Sequence, residues 1–133
     1  MPGQSLRELV DTYRAVRIDT GLLLAPGELD DCALSAARFY AACGPVRSLA
    51  GSGADAMLPE HISMATTLTL GEWSLVRPLF VLYVEREQGA MLEASRANGI
   101  EFYGRSVAEV AADIKDTEDR MSERAFVRAI VTV

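Results

Sequence analysis

The chain has 133 residues, of which 50% are hydrophobic, and a formal net charge of −6. That is one domain, residues 1–133, with apolar material for a single core, and a mean hydropathy of +0.13. No run reaches the ~20 apolar residues of a membrane span, and no basic cluster could neutralise a nucleic-acid backbone.

Taken in order, Met1-Pro-Gly-Gln-Ser5 lacks the basic and then apolar pattern of a secretory signal, so a cytoplasmic protein is expected. Ser5 and Glu8 have the S-x-x-E spacing of a capping box. Leu6, Leu9, Val10, Tyr13 and Val16 follow at helical intervals, predicting a short amphipathic helix. Arg17 to Ala25 reads as a loop anchored by Leu22, Leu23 and Leu24. A second helix is predicted from Pro26 to Cys43. Proline suits its first turn, Glu28, Asp30 and Asp31 suit the positive end of its dipole, and Gly44-Pro45 stops it. Leu29, Cys32, Ala33, Ala36, Phe39, Tyr40 and Cys43 make its inward face, and its alanines imply close approach of another helix. Cys32 and Cys43 lie about three turns apart on that helix, too far to form a disulfide, and read as small buried hydrophobes.

Residues 44–60, with Gly51-Ser-Gly-Ala54 at their centre, read as a flexible loop. A phosphate-cradling loop would need a Lys and a Ser or Thr opening a helix, and neither follows. Alternation over Ile62 to Leu68 predicts a short strand. The longest element follows, a helix from Thr69 to Asn98. Thr69 and Glu72 form a second capping box, Leu68 and Trp73 fit a hydrophobic staple, and Asn98-Gly99 can end the helix. Its first half, Trp73 to Val84, is apolar nearly all round, and its second half narrows to Ala90, Met91 and Ala94. Pro78 is expected to kink or locally break it.

So broad an apolar surface exceeds what one chain of this size can cover, which predicts a neighbouring subunit. Trp73, Leu75, Leu79, Val81 and Leu82 are the expected subunit contacts, with Val76, Phe80 and Tyr83 turned to the chain's own core. Ser106 and Glu109 form a third box, opening a helix lined by Val107, Val110, Ala111, Ile114 and Met121. Asp113, Lys115, Asp116, Glu118 and Asp119 fall on its wet side. The last residues, 125–133, are rich in β-branched side chains and read as an extended strand. Phe126, Val127, Ile130, Val131 and Val133 are expected to dock on a partner by strand addition, or else to pair with Ile62–Leu68. The predicted fold is therefore mainly α: a small helical bundle around one long central helix, with a short strand pair or an extended C-terminal strand.

No catalytic set can be assembled at credible spacing. His61 is the only histidine and lacks a specific nucleophile to act upon. The acids from Asp113 to Asp119 lack the glycine and closing glutamate of an EF-hand loop. No enzyme activity, cofactor or metal is expected.

The order of elements carries a resemblance. A short helix, the acid-led alanine-rich stretch Pro26-Gly-Glu-Leu-Asp-Asp-Cys-Ala-Leu-Ser-Ala-Ala-Arg-Phe-Tyr40, a long helix and an extended C-terminus resemble the small head–tail connector proteins of tailed bacteriophages. These are also called adaptor or head-completion proteins. Leu70-Gly-Glu-Trp-Ser-Leu-Val-Arg-Pro-Leu-Phe-Val-Leu-Tyr-Val-Glu-Arg-Glu87 and Tyr103-Gly-Arg-Ser-Val-Ala-Glu-Val110 have the texture of such virion proteins. The resemblance rests on layout, without a diagnostic motif, and the loop over 44–60 and Pro78 depart from the simplest pattern. It implies a homo-oligomeric ring, commonly twelve-fold, in the virion neck. The implied partners are the portal protein and tail or tail-terminator proteins, with DNA passing through the channel without specific binding. The alternative is a small dimeric helical binding or regulatory protein of a phage or bacterial operon.

Overall fold

A computed structural model describes residues 3–44, 46, 61–96 and 107–131 of the chain. It is mainly helical, with a two-stranded antiparallel sheet. In chain order the elements are β1 (Gln4–Ser5), α1 (Leu6–Arg17), a 3₁₀ turn (Ile18–Thr20), α2 (Pro26–Cys43), β2 (Thr67–Leu68), α3 (Leu70–Arg96) and α4 (Val107–Val131).

Helix starts follow the capping chemistry. The Ser5 hydroxyl accepts from the Glu8 N–H at 3.2 Å and opens α1. At α3 both halves of the box are made: Thr69 N–H donates to Glu72 Oε1 at 2.8 Å, and Glu72 N–H donates to Thr69 Oγ1 at 3.1 Å. Glu72 is only 1% exposed. A buried carboxylate is tolerable there because it satisfies a helix-end donor. At α2 only half a box exists, since Ala25 has no side-chain acceptor; the Glu28 carboxylate reaches back to Ala25 N–H at 3.1 Å. Pro26 occupies the first turn, where its missing N–H costs nothing.

Helix α3 packs against both α2 and α4, which also touch each other, so the bundle is built around it. Val76, Leu79 and Phe80 are fully buried, and Tyr83 and Val84 nearly so. They meet Leu29, Ala33, Ala36, Ala37 and Tyr40 of α2 and Val110, Ile114 and Met121 of α4 in one core. Helix α1 adds Leu6, Leu9, Val10 and Tyr13, with the Tyr13 and Phe80 rings edge to face at 4.8 Å. Arg7 ties α1 to α2 through a hydrogen-bonded ion pair with Asp30. The sheet pairs Gln4 with Leu68 and Ser5 with Thr67, clasping the start of α1 to the start of α3.

Several expectations need correction. Residues 125–131 are helical, as part of α4, and form no extended strand. Helix α4 is already nucleated when it reaches Arg124, Ala125, Arg128 and Ala129, and these strong helix formers outweigh the local strand preference of Val127, Ile130 and Val131. The partner of β2 is accordingly the N-terminal β1, and the strand at 62–68 is confined to Thr67–Leu68. Of the kink or break expected at Pro78, the break is absent: α3 runs from Leu70 to Arg96 with Pro78 inside it. Val16, expected inside, is 69% exposed. Ala90, Met91 and Ala94 face solvent, while Gly89 is buried. The expectations for 47–60, for Asn98-Gly99, for Ser106 and for Val133 lie outside the described residues.

Candidate interaction surface

Among the described residues, two of the concavities flank α3. The larger is an apolar groove of about 350 Å³ between α1 and α3. Gln4, Leu9, Thr12, Tyr13, Val16 and Arg17 line one wall; Leu70, Trp73, Arg77 and Val81 line the other. Its most buried members, Leu9 and Tyr13, form the floor, and its rim is open: Leu70 is 82% exposed and Val16 69%. Trp73 is half-buried, its ring tilted against Phe80 at 5.8 Å. Arg17 bends over the Tyr13 ring at 5.7 Å and donates to its hydroxyl at 3.3 Å. Arg77 is exposed. The lining thus holds two cations and no carboxylate.

The helical repeat explains why one wall falls on α3. Leu70, Trp73, Arg77 and Val81 recur every three or four residues and share one side of the helix. Leu75 and Leu82 lie roughly 100–160° further round, half-buried against the core. The expected contact set therefore divides. Trp73 and Val81 line the groove, Leu75 and Leu82 sit on another flank, and Leu79 is withdrawn because it is fully buried in its own chain. Sequence reading missed Leu70 and Val16. A leucine in the first turn after Thr69 was visible as apolar, but its exposure depends on where α1 stops covering α3.

The smaller concavity, about 200 Å³, is polar and lies between α2 and α3, lined by Glu28, Asp31, Cys32, Ser35, Tyr83, Arg86 and Glu87. The Arg86 guanidinium sits 4.8 Å from the centre of the Tyr83 ring, and the Tyr83 hydroxyl donates to Glu118 of α4 at 2.7 Å. Burial, reinforced by that hydrogen bond, pushes Tyr83 far above the usual phenol range. Burial, with Glu87 nearby, pushes the Cys32 thiol up to about 11. Both groups are held neutral at physiological pH, the reverse of an activated nucleophile.

Of the expected wet-side acids, Asp113, Asp116 and Asp119 are exposed, but Glu118 is half-buried and engaged by Tyr83. Among the described residues no group of three His, Cys, Asp or Glu is placed to hold a metal ion, and no helix is long and apolar enough to cross a membrane. Phe126, Val127, Ile130 and Val131, expected to dock as a strand, belong to the backbone of α4, which has no strand edge to offer. No protein-family model, curated protein or solved structure matches the chain.

Proposed function

We propose that this chain is a non-enzymatic structural protein that works by assembling with copies of itself. The specific form is a ring-forming head–tail connector, or head-completion protein, in the neck of a tailed phage. Such a ring would contact the portal on one face and tail or tail-terminator proteins on the other. DNA would pass without specific binding, past acids such as Asp113, Asp116 and Asp119, which are exposed on α4. The layout of a short helix, an alanine-rich helix and a long central helix supports this reading.

The observation that carries self-assembly is the open apolar groove, where Leu70 and Val16 keep 82% and 69% of their surface in water. Contiguous apolar surface with a polar rim is the usual mark of a protein contact. A second reading, a small dimeric helical binding or regulatory protein, is favoured by a different feature. Exposed Leu70 and Met91 and half-buried Trp73 fall on one side of α3, which suits two copies facing each other.

Native mass spectrometry of the purified chain separates the readings. A ring gives a mass near twelve times, or another large multiple of, the 14.4 kDa chain. A stable two-fold mass at every concentration favours the dimeric reading, and a strictly monomeric chain that also ignores purified portal counts against both.

A further inference from the structure

We draw no further inference here: the strongest candidate, the apolar groove between α1 and α3 with Leu70 and Val16 on its rim, belongs to the surface already described, and nothing in the structure shows what covers it.

Discussion

At the scale of single residues, the most informative groups are polar ones held inside the bundle. The Tyr83 hydroxyl bridges α3 to the Glu118 carboxylate of α4 at 2.7 Å. A hydrogen bond to a charged acceptor contributes roughly 1.5–3 kcal/mol, and half-buried Glu118 can regain some of that from water once the hydroxyl is gone. Tyr83→Phe should therefore lower stability by about 1–2 kcal/mol in urea titration, while Glu118→Gln, which keeps an acceptor oxygen, should cost less. Cys32 makes a pH prediction. Its folded value, about 11, lies above that of a free thiol. Below the ordinary thiol range the group is protonated in both states and stability is unaffected. As pH rises from there towards 11, the unfolded chain releases the proton first, binds fewer protons than the folded one, and stability falls. Unfolding midpoints measured across that window should decline in wild type and decline less in Cys32→Ala, and at pH 8 iodoacetamide should label Cys43 faster than buried Cys32.

At the scale of elements, boundaries were legible where a side chain satisfies a backbone group. Ser5 with Glu8, Thr69 with Glu72, Pro26 and Gly44 each marked a helix end, because orphan N–H and C=O groups admit few local solutions. The inward faces of α2 and of the first half of α3 were equally readable from large apolar residues at helical spacing. Three features were not legible. The strand reading of 125–131 failed because β propensity is only a local tendency, while extending an existing helix needs no new nucleus. Ala90 and Ala94 misled because alanine is at home on either face of a helix. The groove was invisible because it depends on how far α1 covers α3, a distance no periodicity encodes. The C-terminal correction is testable: removing residues 125–133 should reduce helical dichroism per molecule, whereas loss of an extended tail would leave it unchanged. The β1–β2 clasp makes another prediction. A Cβ on Gly3 would lie 2.3 Å from the Leu68 carbonyl oxygen and 2.7 Å from its carbon, both backbone atoms that cannot swing aside. Gly3→Ala should therefore push β1 off β2 and cost about 1–3 kcal/mol, the usual range for overpacking, seen as a lower urea midpoint.

At the scale of the whole molecule, the fold combines a complete core with an incomplete surface. Leu79, Phe80 and Val76 leave no exposed area, so the bundle does not need a partner in order to bury its centre. Leu70 and Val16 stay exposed on the groove rim, so on the proposed self-assembly reading association is an addition to an already folded chain. The consequence is thermodynamic. If, as proposed, a partner copy binds only the folded state, it stabilises that state by mass action, and the melting temperature then depends on protein concentration. Each tenfold rise in concentration contributes about 1.4 kcal/mol per dimer, or about 0.7 kcal/mol per chain. For a domain of this size that corresponds to a rise of roughly 2–4 °C per decade. Differential scanning fluorimetry of wild type over two decades of concentration should show this slope, and folded Leu70→Asp protein should lose it. The same comparison separates a surface contact from a core defect. A variant that melts lower at every concentration but keeps the slope has damaged the bundle, whereas one that matches dilute wild type and shows no slope has lost only its neighbour.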